Sequence, residues 1–342
     1  TKPCPRKGAG INTPKVIIMS TPKLYTDSAQ VIADLNAKGV AIGKVNPDQY
    51  HSWKAIIEAE MSCPVVSKST LADFSANPYK FHYEQVNGIK KESDALSLGS
   101  LVDCLALTPE LFDSKYRVEE KRVALKKDGT PYANGMQDPA QKAEWEQLSA
   151  QGIRIITPEQ KAEADEMAAL VNEHYAKRFM ALNENCWSQV AIWVRFTELD
   201  GRALPCPVIA CGMLDLTDML HTLDDLKTTS VDLSNTRALF YSVEDYRYGM
   251  QAALYHDLYL LATGESWAYF GFLFVSTKKP YMLRRVEMTD EAIDLYRCEY
   301  YAAMRRYATC WKLNEWGAPE LDLVRYTPSS REYNLIEERE NA

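Results

Sequence analysis

The run from Gly212 to Thr229, GMLDLTDMLHTLDDLKTT, constrains the chain more than any other stretch. It reads as a β-hairpin with its turn near Met219, and it carries Asp215, Asp225 and Lys227. Asp225 and Lys227 are two positions apart, so on a strand they share one face. An acid and an amine on one strand face, with a second acid ten residues earlier, suit a divalent cation and a phosphate. Carboxylates hold Mg²⁺, and a lysine steers a water or balances developing charge. A surface hairpin with ordinary charges fits the same letters, so the rest of the chain has to decide.

The chain is long enough for one large domain with additions, or for two. Its 46% apolar and 25% charged content supports a well-buried core. No apolar run reaches the roughly 18–20 residues that span a bilayer. The start, TKPCPRKGAG, lacks the apolar core of a secretory signal. The expected location is the cytoplasm, that of a bacterial host if the chain is phage-encoded, with no membrane partner. None of the eight cysteines forms a CxxC pair, which fits reduced thiols better than a disulfide framework. The net charge of −8 argues mildly against nucleic acid as a partner, but binding depends on local basic surface and not on the sum.

Residues 1–62 show no chemical motif and read as an N-terminal appendage, with a short strand at Val16–Met19 and helices over Asp27–Lys38 and Gln49–Met61. The main domain is expected over 63–320, and residues 321–342 form a polar tail. Ala95–Leu107 reads as a largely buried helix that contains Asp103, an acid that is costly there without a partner. The polar stretch 117–150 suggests a loop with turns at Asp128-Gly129 and Asn134-Gly135. Its basic residues Lys121, Arg122, Lys126 and Lys127 either touch phosphates or are solvated. A helix opens at Thr157-Pro158 and runs to about Phe179. Strands follow at Trp187–Phe196, Pro207–Leu216 and His221–Leu226, then a helix over Ser242–Leu261. Strands at Ala268–Ser276 and Met282–Val286 lead into a long helix over Thr289–Trp316. Gln251 and Tyr255 are four apart on the Ser242–Leu261 helix and share one of its faces.

Gly212-x-x-Asp215, then Asp225-x-Lys227-Thr228, then Gln251-x-x-x-Tyr255 resembles the order and spacing of RecB-like PD-(D/E)xK nucleases, in particular the RecE-like branch. The resemblance extends through Ser67–Pro78, the Gly99 helix to Glu110, and Pro280-Tyr281, about residues 64–315 in all. It implies an α/β fold: a PD-(D/E)xK, restriction-endonuclease-like core with a mixed central sheet flanked by helices. Two positions depart from the pattern. Asp103 stands where such enzymes usually carry a histidine, and Gln189 where they tend to carry a glutamate.

What the resemblance implies is a Mg²⁺- or Mn²⁺-dependent exodeoxyribonuclease for recombination. It would degrade linear double-stranded DNA 5′ to 3′ and leave 3′ single strands. The implied metal ligands are Asp103, Asp215, Asp225 and the Leu226 carbonyl. The implied catalytic set is Asp215, Asp225, Lys227, Gln251 and Tyr255. A ring-shaped homo-oligomer would place Lys121, Arg122, Lys126 and Lys127, or Arg284 and Arg285, on its inner wall against DNA. A RecT-like single-strand annealing protein is the implied partner. No closely spaced cysteine triplet follows the Gln251–Tyr255 helix, so no iron–sulfur cluster is expected. With Asp103 and Gln189 in place, a catalytically weakened or inactive module that binds DNA ends or another protein is the alternative.

Overall fold

The structure, a computed structural model, describes residues 22–89, 94–126, 128–131, 137–180, 186–218, 222–266 and 269–319. The expected Val16–Met19 strand, Lys127, the Asn134-Gly135 turn, the Met219 turn and the 321–342 tail lie outside the described residues. The first half of the chain holds β1 (Lys23–Leu24), α1 (Ser28–Lys38), β2 (Val40–Lys44), α2 (Pro47–Met61), β3 (Val65–Val66), α3 (Lys68–Ala76), α4 (Pro78–Val86) and α5 (Asp94–Leu107). Then come α6 (Phe112–Lys115), β4 (Tyr116–Val118), α7 (Pro139–Ala150), β5 (Arg154–Ile156) and α8 (Pro158–Met180). The second half holds β6 (Trp187–Leu199), β7 (Arg202–Thr217), β8 (Thr222–Thr229), α9 (Thr236–Asp245), α10 (Tyr248–Thr263), β9 (Tyr269–Ser276), β10 (Leu283–Glu287) and α11 (Asp290–Leu313).

Eight strands form one mixed sheet in the order β1-β2-β6-β7-β8-β9-β10, with β3 paired to β7. The β6–β7–β8 meander is antiparallel. β8 and β9 are parallel, which requires a crossover, and α9 and α10 supply it. On one side, Val190, Ile192, Leu214, Leu223, Phe272 and Phe274 pack against α3, α10 and α11. Leu216, Leu226, Leu273 and Val275 pack against α5 and α8. The architecture is α/β, a mixed central sheet flanked by helices on both faces. Among the described residues, no helix is long and apolar enough to cross a membrane.

Residues 22–62 differ from the expected appendage. β2 pairs with β6 from Val40–Val194 to Lys44–Val190, so the same sheet runs through the expected boundary. Tyr25, Val31, Leu35, Tyr50, Trp53 and Ile57 share one apolar cluster with Ala191, Trp193, Ile209 and Cys211 of β6 and β7. Burying that face of the sheet requires this N-terminal layer, because a sheet must cover its apolar face. The described parts of 117–150 hold regular elements where a loop was expected. β4 pairs in parallel with β5, and Asp138 caps α7, its side chain accepting from the Gln141 N–H. The single helix expected over Ser242–Leu261 is two helices, broken at Tyr246-Arg247, where Arg247 adopts a left-handed φ of 53°.

Candidate active site

Among the described residues, β7 and β8 are in register at two pairs, Leu216–Asp224 and Thr217–Leu223. Beyond these the strands part, with Asp215 on one lip and Asp225 on the other. The Leu226 N–H finds its acceptor in the Asp215 carboxylate, at 2.9 Å. A buried N–H needs such a partner, so the fold itself fixes this acid. The other Asp215 oxygen accepts from Gln189 Nε2 at 3.2 Å. Gln189 reaches it from β6 with a φ of 52°, between the regular pairs Ser188–Leu216 and Val190–Leu214. A non-glycine residue at positive φ inside a strand is uncommon, and here it re-aims a side chain into the site.

Asp225 is 2% exposed. Its Oδ1 accepts from Gln251 Nε2 at 2.6 Å. Its Oδ2 lies against the Lys227 ammonium, two residues along the same strand face, without a well-aligned hydrogen bond. Tyr255, one turn beyond Gln251 on α10, packs its ring over Gly212 of β7. A Cβ at Gly212 would stand 2.5 Å from that ring, so only glycine admits the tyrosine. α5 crosses β8 closely at Gly99, where a Cβ would meet Thr228 Oγ1 at 3.0 Å. Asp103, one turn further along α5, lines the same cavity as Asp215 and Asp225.

The electrostatics follow from burial. Burial raises the Asp215 carboxyl well above its ordinary range, and Asp225 and Asp103 add to this against the pull of Lys227 and the Leu226 N–H. Asp103 is pushed up to about 7 by burial, with Lys227 opposing and Asp225 adding. Burial disfavours the charged Lys227, but Asp225 and Asp215 outweigh it and hold the ammonium protonated. Burial and the two aspartates raise the Tyr255 hydroxyl, so it stays a donor. Among the described residues no three acidic, histidine or cysteine side chains form a ready-made cation cage. Protein donors hold Asp215 and Asp225 instead.

The cavity has a volume of about 750 Å³. It unites Asp103, Asp215, Asp225, Leu226, Lys227, Gln251 and Tyr255, the whole expected catalytic and metal set. It also contains His51, Lys115 and Arg154, which the sequence did not suggest. Lys115 pairs with Asp48 of α2 at 3.0 Å, so the N-terminal layer forms part of the cavity wall. Two further residues were missed. Lys68 and Lys227 each place an ammonium 5.4 Å from the Tyr248 ring. Burial and the Lys227 charge lower Lys68 to about 8, partly offset by Asp225. Tyr248 lies three residues before Gln251, on the same helical repeat, and that spacing could have flagged it. Nothing in the letters around Lys68 marks it.

The expected DNA-binding residues lie elsewhere. Arg285 is corrected to an internal role. Its guanidinium passes over Gly271, where a Cβ would stand 2.5 Å away, to bond buried Asp224 at 2.7 Å, and it also pairs with Glu287. Arg284 donates to the Leu233 carbonyl at 2.6 Å and to Thr236 Oγ1 at 2.8 Å, which ties down the start of α9. Lys121, Arg122 and Lys126 are exposed and outside the cavity, and Arg122 faces Glu144 at 3.9 Å. Both arginines sit on β10, an edge strand, where a sequence reading sees two adjacent cations and not the buried acid behind them.

The profile of a "PDDEXK-like domain of unknown function (DUF3799)" matches residues 210–325. No curated protein matches the sequence. Among solved structures, the chain is similar to a protein from Eubacterium rectale named "Putative exonuclease", with 19% identity, 85% of this chain and 98% of that chain covered, and a TM-score of 0.49. It is also similar to a protein from Vibrio cholerae, with 12% identity, 82% and 62% covered, and a TM-score of 0.20. The paired acids, the lysine and the glutamine–tyrosine helix all fall within the matched segment, on a mixed α/β sheet of PD-(D/E)xK type.

Proposed function

We propose that the protein is a divalent-metal-dependent exodeoxyribonuclease acting on linear double-stranded DNA. The observation that carries this reading is the meeting of three carboxylates and one lysine in one cavity at the split between β7 and β8. The donor set fits a hard cation, because acids outnumber the lysine and Asp225 Oδ2 lacks an aligned hydrogen bond. Asp215 and Asp225 would hold it, with Asp103 and the Leu226 carbonyl adding oxygen ligands. When bound, such an ion supplies Lewis acidity toward a phosphate oxygen and lowers the pKa of water.

The chain's own residues do the rest. Lys227, kept protonated by its neighbours, offers N–H donors to the phosphate as charge builds. Gln251 fixes the orientation of Asp225 through its 2.6 Å bond. Tyr255 braces α10 against Gly212 and holds Gln251 over the strand split. A 5′-to-3′ direction, a ring-shaped assembly and a RecT-like partner follow the resemblance to RecE-like enzymes and belong to the same proposal.

The second reading, a DNA-end-binding module with weakened catalysis, draws on the neutral Gln189 amide bonded to Asp215. End-labelled linear DNA and covalently closed circles, each with Mg²⁺ or Mn²⁺, test both. The nuclease reading expects nucleotides released from linear DNA and intact circles. Cut circles would mean an endonuclease. Tight binding to ends with no release under either ion would favour the module.

A further inference from the structure

The break between α9 and α10 puts an aromatic and cationic path beside Lys227. The Tyr248 ring lies under two ammonium groups, Lys227 from β8 and Lys68 from the first turn of α3, each 5.4 Å from its centroid. The Tyr246 ring stacks on Tyr248, with centroids 5.6 Å apart and planes 21° apart. Tyr246 is nevertheless 62% exposed. Lys68 Nζ donates to the Tyr246 carbonyl at 2.5 Å, and Asp225, Asp73 and Glu299 act on its charge without a direct ion pair among the described residues. Its remaining N–H donors are therefore available to an anion. Arg247, left-handed at the break and bonded to Glu299 at 3.0 Å, pins the turn that presents Tyr246. The path runs from a lysine inside the cavity, across two stacked rings, to solvent.

We propose that Tyr246, Tyr248 and Lys68 form a track for a single strand of DNA leading to Lys227, with one unstacked base on the Tyr246 ring and the adjoining backbone phosphate on the Lys68 ammonium. Every base has a π-face, so a tyrosine platform accepts any sequence, and a lysine beside it tracks the backbone. Duplex DNA offers no free base face along its length. The strand entering the cavity is thus unpaired over at least the nucleotide next to the reacting phosphate. This deepens the nuclease reading and rests on it only for what happens at the Lys227 end.

The test separates the two. Anisotropy of a dye-labelled oligothymidylate of about a dozen nucleotides, a length in the range of single-strand sites, is measured in EDTA. The variants are Tyr246→Ala, Tyr246→Trp, Lys68→Gln and, as a control at another exposed tyrosine, Tyr241→Ala on α9. The track predicts binding weakened about tenfold by Tyr246→Ala, kept by Tyr246→Trp and unchanged by Tyr241→Ala. Lys68→Gln weakens binding and flattens the salt slope by about 0.7, one phosphate's share on a single strand. Equal binding by wild type, Tyr246→Ala and Lys68→Gln overturns the track, as does absence of binding by wild type. Tyr246-dependent binding without hydrolysis keeps the track and removes the nuclease. Hydrolysis without Tyr246-dependent binding does the reverse.

Discussion

One helix, α10, borders two groups of buried or half-buried acids, and the groups are built in opposite ways. Six residues past Gln251, Asp257 is 1% exposed and saturated with donors. Arg297 Nε and Nη2 reach it at 2.9–3.0 Å, His256 Nδ1 lies at 3.1 Å, and the Tyr300 hydroxyl donates to it. Burial pushes the Asp257 carboxyl up, but the bonds from His256, Arg297 and Tyr300 pull it below its ordinary value. On the other face of α10, burial pushes Asp215 and Asp103 up, and neighbouring carboxylates add to this against the pull of Lys227. The first group is a finished structural joint between α10 and α11. In the second, burial opposes the charged form of Asp215 and Asp103, as expected of a site that receives a cation and a phosphate.

The comparison breaks most visibly in activity. Lys227→Ala should lower DNA hydrolysis by at least about 10²–10³-fold, the scale of losing one transition-state donor, while the protein stays folded. An equal rate in the variant would remove Lys227 from the site. Asp257→Asn should do the opposite. It leaves Arg297 buried without its charge partner and should cost about 3–5 kcal/mol in denaturant unfolding, the scale of a broken buried pair.

The two groups also differ in sign with pH. Asp257 titrates lower in the folded state, so the unfolded chain binds more protons there. Its stabilisation is present above the unfolded carboxylate pKa and is lost as pH falls through the folded one. Asp103 and Asp215 titrate higher in the folded state, so their contribution falls as pH rises from the ordinary carboxylate range toward about 7 for Asp103. Asp257→Asn should therefore flatten the acid limb of a stability–pH curve, and Asp103→Asn the limb approaching neutrality. An unchanged acid limb in Asp257→Asn would deny the joint its role.

Smaller effects sharpen the same contrast. Gly212→Ala should cost about 1–3 kcal/mol, since the new methyl meets the Tyr255 ring. It should also slow hydrolysis by displacing α10 and with it Gln251. Gln189→Glu replaces a donor to Asp215 with a fourth acid. It should lower the melting temperature of the metal-free protein by a few degrees and raise its affinity for Mn²⁺. A variant that melts like wild type would show that the amide bond to Asp215 does little.

The hairpin acids, Lys227 and the Gln251–Tyr255 pair were legible because each obeys a short-range period, two on a strand and four on a helix. Asp103 was legible as a costly acid in an apolar helix. The N-terminal layer was not, because nothing in Val40–Lys44 shows that its partner is β6, about 150 residues away. Lys68 was hidden for the same reason: its ring partner Tyr248 is brought to it only by the tertiary packing of α3 and α10. Arg285 misled because two adjacent cations suggest a nucleic-acid surface, whereas Gly271 opens a path from Arg285 to the buried Asp224 behind β9. The Arg247 break escaped notice because the helical period of Tyr248, Gln251 and Tyr255 continues smoothly to the residues before it.

The most direct test of the contrast is the melting temperature at pH 7 as Mg²⁺ or Mn²⁺ is titrated into wild type, Asp225→Asn and Asp103→Asn. Metal-free Asp225→Asn should melt below wild type, because it leaves the Lys227 ammonium without its nearest charge partner. Saturating Mn²⁺ should stabilise wild type by about 2–3 kcal/mol at a hundredfold excess over Kd, Asp103→Asn less, and Asp225→Asn not at all. A wild-type protein whose melting temperature ignores both ions, or an Asp225→Asn variant that responds as wild type does, would contradict the assignment of this cavity as a cation site.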